Sequence, residues 1–518
     1  MRPLILLTLA TVATLAGCGG APAPTSTPSS APAQAAAPAD AGLTVLHQPS
    51  SSPIVELRFV FRAGSAYDPP GREGTAWLLA HLLTEGGTQD LTYPELLSRL
   101  YPWAAQIGTQ VDKEQLTIVA RVHREHVDAF YPLLRDVLLA PRLDAADFER
   151  LRTQAVTRLT QNMRTANDEE LAKLVLEAQL FAGTPYAHPS IGTEAGLKAL
   201  TLDDLKAWRA TALTRDRLVI GLGGAADDAL VARVRQDFAG LPAHGTLPDA
   251  TPSPAPSPTK PRLIVIDQPQ AGATAMAFGH VADFDRRSAD FPAMALAASY
   301  FGEHRQFHGV LFQQIREKRG MNYGDYAYAE AFVQEGWGRM PRTNIARRHQ
   351  HTSVWIRPVP NEDRHFALRI ALRLFGGLVA DGLTAEAVAA TRQFLEGYVY
   401  LQLQTDQRRL GTAIDDAFYG LPEPYALGLG AGMKPLDAPA VKAALGRHLH
   451  PEALTIVVVT PDAAGFVDAV VGDAPSPKAY ASPKPTEITD EDAIIARLPL
   501  GIGRDQVAIL PAATLFAN

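Results

Sequence analysis

The stretch from Gly74 to Thr88, GTAWLLAHLLTEGGT, carries a single histidine, His81, inside an apolar helical pattern. A helix that serves hydrolysis through the inverted zinc motif H-x-x-E-H needs two histidines four residues apart. They bind the metal from one face, and a carboxylate beside the second acts on the metal-bound water. Here Trp77 stands where the first histidine would be, and Ala80 where the carboxylate would be. One imidazole does not make a zinc site. The frame of such a helix is present and its metal chemistry is absent.

Other groups of polar residues invite the same question. His123-Arg124-Glu125-His126 has the right letters, but its histidines are three apart at a strand-to-helix junction, which reads as a solvated helix start. His304 and His308 have helical i,i+4 spacing with no carboxylate ligand identifiable opposite them, so they read as structural or surface residues. Arg342, Arg347, Arg348, His349 and His351 form a basic run before a strand. It reads as a solvated loop, with contact to a peptide carboxylate or a partner chain as the alternative. Arg316 and Tyr323 are seven residues apart. From pattern alone, a surface ion pair with a packing tyrosine is as good a reading of them as a pair of substrate-binding donors.

The elements that would position these residues are spread over a long chain. Its 518 residues suffice for two or three domains with proper cores, and 47% apolar with 20% charged residues is ordinary globular composition. A net charge of −7 over this length argues against a nucleic-acid partner. At the N-terminus, Arg2 precedes an apolar run from Pro3 to Leu15 that is too short for a permanent bilayer span. It ends in Leu15-Ala16-Gly17-Cys18, which resembles the bacterial lipoprotein box. Residues 1–18 are therefore expected to be a signal peptide, cleaved before Cys18, with lipid attached to that residue. Cys18 is the sole cysteine, so no internal disulfide can form. Gly19 follows in place of aspartate; by resemblance to Gram-negative lipoproteins, this points to the periplasmic side of the outer membrane.

Residues 19–42 are almost entirely Ala, Pro, Ser, Thr and Gly, and are expected to be a flexible tether. A second Pro/Ser-rich segment, 248–261, separates two halves, 43–247 and 262–472, with a tail at 473–518. The halves open alike, as TVLHQP at Thr44 and LIVIDQP at Leu263, and each continues through a strand-like run (Ile54 to Phe61, Ala273 to Gly279) into a helical pattern. This suggests a tandem duplication. In the first half, Ala104–Gly108 and Leu116–Val122 read as strands, and Leu143–Met163 and Glu169–Phe181 as helices, the first capped by Asp144. Leu218–Leu222 closes that half. In the second, Ser353–Val359 and Ala453–Val459 read as strands, Arg364–Asp381 and Ala385–Leu403 as helices. Strands and helices interleave without regular βαβ spacing, which favours α+β sandwiches over a doubly wound sheet.

Several blocks, in order, resemble the M16 (insulinase and pitrilysin) peptidases. Arg62-Ala63-Gly64-Ser65 is similar to the family's R-x-G-S strand end. His188-Pro189-Ser190-Ile191-Gly192-Thr193 and Leu200-Thr201-Leu202-Asp203-Asp204-Leu205 resemble its P-x-x-G-T and L-T-x-x-D-L. Leu311 to Tyr323, LFQQIREKRGMNY, is similar to L-x-x-x-x-R-E-K-x-G-L-x-Y. The resemblance runs from about residue 43 to 470 and implies two tandem homologous α/β-sandwich domains of the M16 metallopeptidase type, an α+β fold.

It also implies what is missing. The third zinc ligand of active members is a glutamate some 75–80 residues past the second histidine; here that region holds Thr157 and Arg158, and a cation there repels a metal further. No metal is expected in this chain. In M16 enzymes an arginine and a tyrosine on the non-zinc half complete the site, and Arg316 with Tyr323 matches their spacing. A guanidinium fork and a phenol can hold substrate and stabilise the oxyanion that develops in peptide hydrolysis. Some bacterial members divide the zinc motif and the Arg/Tyr pair between two chains. The expectation is thus a non-zinc subunit, inactive alone, of a heterodimeric metalloendopeptidase. Its partner would be an M16 subunit with an intact H-x-x-E-H that carries the zinc, its substrate a peptide, and its membrane link the lipid on Cys18. The alternative is an M16-like scaffold or peptide-binding lipoprotein without a catalytic part.

Overall fold

The computed structural model describes residues 42–248, 258–303, 307–333, 340–422 and 424–518; Cys18 and His304 lie outside them. The first half runs β1 (Thr44–Pro49), β2 (Ile54–Phe61), α1 (Thr75–Glu85), α2 (Tyr93–Leu100), β3 (Gln106–Val111) and β4 (Leu116–His123). It continues with α3 (Val127–Leu139), α4 (Ala145–Thr157), α5 (Asp168–Leu180), α6 (Glu194–Ala199), α7 (Leu202–Ala212), β5 (Leu218–Gly224) and α8 (Asp228–Phe238). The second half runs β6 (Arg262–Asp267), β7 (Thr274–Ala282), α9 (Phe291–Gly302), β8 (Asp325–Tyr328), β9 (Gln350–Val359), α10 (Arg364–Asp381) and α11 (Ala385–Gln402). Then come α12 (Asp406–Tyr419), α13 (Tyr425–Met433), α14 (Ala438–His448), β10 (Thr455–Thr460) and α15 (Ala463–Val471), followed by α16 (Thr486–Ile495) and β11 (Val507–Pro511) in the tail.

The sheets show the duplication directly. The first has the order β1-β5-β2-β4-β3; the second is β6-β10-β7-β9-β8, with β11 added outside β6. In both, the first and last strands of the repeat pair in parallel and the other pairs within the repeat are antiparallel, while the added β11 joins β6 in parallel. Each repeat thus places its first helix, α1 or α9, after the second strand and before the edge strand.

The two repeats exchange helices. The second sheet alternates in the manner of any strand pair. Leu263, Val265, Met276, Phe278, Val354 and Ile356 face the helices of their own repeat. Ile264, Ile266, Ala277, Trp355, Val457 and Val459 belong to the core of the first half, where α5 supplies Leu171, Val175 and Leu176. In return α12 lays Leu410 and Ile414 against Val60 of the first sheet. Gly221 allows that approach, since a Cβ there would come within 2.8 Å of the Ile414 Cδ1. Burying both faces of each sheet this way makes the halves one packed body from residue 42 onward.

Two local departures from the sequence pattern have clear causes. The edge strand begins at Gln106 and runs to Val111, because a 3-10 turn at Tyr101–Trp103 ends on Ala104 with φ +48°, a left-handed conformation incompatible with a strand. The helix capped by Asp144, whose carboxylate accepts from the Ala146 N–H at 2.8 Å, starts as expected. After Thr157 it widens into a π-helical turn, Arg158–Met163.

Candidate functional site

Helix α1 begins at Gly74, whose φ of +114° is open only to glycine. Its first N–H groups are satisfied by Asp68, which accepts from Gly74 and Ala76 at 2.7 Å each. Burial pushes the Asp68 carboxyl up to about 8 against those two hydrogen bonds. The motif-like glycines around α1 are packing residues. A Cβ on Gly64 would lie 2.3 Å from the Asp112 carbonyl, and one on Gly192 would lie 2.2 Å from that of Glu73. The R-x-G-S and P-x-x-G-T blocks therefore clamp the start of α1 and the β3–β4 turn.

On that helix His81 is consumed by its own turn. Its ring stacks on Trp77 with centroids 3.7 Å apart, and Nδ1 donates to the Trp77 carbonyl at 2.8 Å. Burial, aided by the charge of Arg158, lowers its pKa to about 4, so the ring is neutral at physiological pH. One nitrogen, Nε2, remains to bind anything. Ala80 is fully buried and Trp77 is only 9% exposed, so the positions of the missing ligand and base are filled by core. Thr157 ends α4 and is exposed beside Arg158. Among the described residues no group of three or more His, Cys, Asp or Glu side chains could hold a metal. The residues present do not fit zinc. Of the other histidine candidates, His126 stacks on Trp103 and His308 meets Phe394 edge-on.

Arg316 and Tyr323 lie on the other repeat. Arg316 is on a π-helical turn, Phe312–Glu317, with its side chain 42% exposed, ion-paired to Glu317 and 5.5 Å over the Phe312 ring. Tyr323 is 83% exposed in the turn before β8. Asn322 shapes that turn, accepting from the Gly324 N–H at 3.1 Å and donating to Asp325 at 2.6 Å. The residue that fixes the segment is one the sequence reading passed over. Arg319 is fully buried and bound by Asp492 and Glu491 of α16, at 2.7 Å each. The tail helix therefore staples the turn that carries Arg316 and Tyr323. Only the shared block of letters linked Arg319 to this region; nothing in sequence linked it to residues 491 and 492.

The basic run needs correction. It is neither a solvated loop nor free for a ligand, because it crosses to the first half and enters an acidic cluster there. Arg347, 3% exposed, reaches Asp112 through Nε at 2.6 Å and Nη2 at 2.7 Å, and Glu177 through Nη1 at 2.9 Å. Arg348 binds Glu114 at 2.7 Å through both its backbone N–H and Nε, and the Tyr186 hydroxyl donates to the same carboxylate. Burial alone would raise the Glu177 carboxyl, but Arg347 and Lys113 hold it well below its usual range. Burial lowers His351 to about 4. From the other side, Arg58 of β2 donates to the Thr343 hydroxyl and the Gln407 carbonyl, both at 2.9 Å.

Two tandem repeats of this topology, with a zinc-helix frame in the first, define a peptidase-like architecture whose metal ligands have been replaced. The chain belongs to the M16 peptidase family. Residues 43–194 match the family described as insulinase (peptidase family M16), and residues 199–395 match the peptidase M16 inactive domain. A Helicobacter pylori protein named non-peptidase homolog YmxG is 23% identical over 410 residues, covering 79% of this chain and 89% of its own. A Mycobacterium leprae protein named an uncharacterized zinc protease is 24% identical over 349 residues, covering 64% and 70%. Among solved structures, a Pseudomonas fluorescens peptidase M16 inactive domain superposes with a TM-score of 0.70 at 24% identity, over 81% of this chain and 96% of its own. A Helicobacter pylori protease gives 0.69 at 14% identity, over 81% and 97%. These likenesses carry the fold.

Proposed function

We propose that this chain is the non-zinc subunit of a heterodimeric M16 endopeptidase and supplies Arg316 and Tyr323 to a site completed by a partner with an intact H-x-x-E-H. The observation that carries this reading is a contrast between the repeats. The first spends the one histidine of its zinc-motif frame, His81, on Trp77 and fills the ligand positions with core, while the second holds Arg316 and Tyr323 out to solvent on a turn stapled from behind by Arg319. A turn kept rigid under two exposed donors is what oxyanion stabilisation requires, since donors must be placed before charge develops. Metal and general base belong to the partner. Lipid on Cys18 anchors the chain to the outer membrane, facing the periplasm, with residues 19–42 as the tether.

The test is peptide cleavage by each chain alone and by the mixture, after co-purification. The mixture should cleave and this chain alone should not. Arg316→Ala with Tyr323→Phe should lower the mixture's rate by about 10²–10³, the usual cost of losing an oxyanion donor. A rate equal to the partner's alone, or one untouched by the double substitution, rejects the shared site. It would leave the second reading, an M16-like scaffold or peptide-binding protein, which the name non-peptidase homolog given to the Helicobacter pylori relative favours.

A further inference from the structure

The tail, residues 473–518, lies beyond both stretches that match the family, and its helix α16 is held as a fixed platform. Arg369 of α10, fully buried, donates to the Ala474 carbonyl at 2.9 Å and to the Ala496 and Leu498 carbonyls at 2.8 Å each. The chain is thereby gripped on both sides of α16. Beyond it, β11 joins β6 in parallel from Val507 to Pro511. The last residues cross to the first half, where the Glu194 and Ala195 N–H groups donate to the Phe516 and Ala517 carbonyls at 2.9 Å each. Arg164, which ends the π-helical turn after α4, donates to the Leu515 carbonyl.

From that platform the segment of Arg316 and Tyr323 is held at several points. Arg319 spends all three guanidinium nitrogens there. Its Nε reaches Asp492 and its Nη2 reaches Glu491, at 2.7 Å each, while Nη1 reaches the Gln314 carbonyl at 2.8 Å. The Tyr480 hydroxyl donates to the other Asp492 oxygen at 2.5 Å, which fixes that carboxylate. Lys484 donates to the Lys318 carbonyl at 2.8 Å. The carbonyls of Gln314 and Lys318, on either side of Arg316, are thus both tied, one through Arg319 and the other by the tail directly. The Arg316 carbonyl itself accepts from the Gly320 N–H at 2.8 Å, and Gly320, with φ +64°, turns the chain toward Tyr323.

We propose that the tail is a positioning element of the shared site: Tyr480, Glu491 and Asp492 hold Arg319, and through it they set where Arg316 and Tyr323 stand. This rests on the shared site proposed above and extends it to residues that touch no substrate. The physical need is placement. Oxyanion donors work only when they are in position before charge develops, and a misplacement of about 1 Å costs on the order of 10²-fold in rate. Two exposed side chains on a short turn cannot supply that placement themselves. A buried guanidinium bound on three sides can, provided that its carboxylates sit on an element that does not move.

The test is a mutant cycle on peptide cleavage by the full chain mixed with its partner. Glu491→Gln with Asp492→Asn should lower kcat by at least about tenfold and leave KM within about twofold, since the groups affected act on the transition state. Arg504→Ala, which breaks an exposed tail pair with Asp468, should leave the rate alone. In the Arg316→Ala/Tyr323→Phe background the same tail change should cost less than about twofold, because the groups it positions are gone. A tail of merely structural importance gives the same loss in both backgrounds, and that result overturns the proposal. So does an unchanged kcat, or a loss confined to KM. A mixture sensitive to Arg316→Ala/Tyr323→Phe but not to the tail variant rejects this inference alone; one insensitive to both rejects the shared site as well. Should Glu491→Gln/Asp492→Asn fail to fold, Tyr480→Phe with Lys484→Ala leaves the Arg319 ion pairs in place and is judged by the same cycle.

Discussion

Replacing Arg347 by alanine tests whether the two repeats are locked by buried charge. Its guanidinium makes two hydrogen bonds to Asp112 and one to Glu177, and all three side chains are buried or nearly so. Truncation leaves Asp112 without a cation and Glu177 with Lys113 alone, at 2.8 Å. Removing one partner of a buried pair strands the other charge and costs about 3–5 kcal/mol, a large share of the roughly 5–15 kcal/mol that holds a domain together. Arg316→Ala is the control. Its pair with Glu317 is about 40% exposed on both sides and is worth about 0–1 kcal/mol. Urea unfolding followed by circular dichroism should show a large fall in midpoint for Arg347→Ala and almost none for Arg316→Ala. Adding Asp112→Asn to Arg347→Ala should recover part of the loss, because the stranded charge is then gone. A loss below about 1 kcal/mol for Arg347→Ala would refute the lock and return the run to a solvated loop.

Two further outcomes follow from the same physics. The pKa of His351 is lowered from 6.5 to about 4 in the folded chain by burial, so the unfolded chain binds the extra proton between those values. Its contribution is full above pH 6.5 and is lost as pH falls toward 4, on the order of 3 kcal/mol; unfolding free energy measured across that window should fall, and His351→Gln should flatten the slope. The zinc frame can be tested by reconstruction. Trp77→His with Ala80→Glu supplies only two protein nitrogens and should retain no zinc after dialysis, whereas adding Thr157→Glu should bring retention to about one per chain by metal analysis. Zinc held by the double variant would mean that a third ligand is already in place.

Much of this protein was legible in its sequence because the signals were local. That α1 carries Trp77 and Ala80 at the positions of the zinc motif's first histidine and carboxylate is read directly from the residues, and the duplication from two like openings and the strand runs behind them. The cap at Asp144 is read from one residue next to a helical pattern. The failures were of two kinds. The start of β3 depends on one left-handed residue, Ala104, which no periodicity marks. The basic run was misread because its acidic partners lie more than 160 residues earlier in the chain. Charge patterning reports that a segment is basic and cannot say where its counter-ions are.

The sequence by itself determined the family, the repeat, and the absence of a metal-binding set on α1, since each depends on residue types at fixed short spacings. Tertiary structure alone decided that α5 and α12 change places between the sheets, that Arg347 and Arg348 are spent on holding the halves together, and that Arg319 is anchored by the tail. These outcomes depend on which distant side chains meet in a low-dielectric interior, where an ion pair or an unpaired carboxylate carries several times its surface energy.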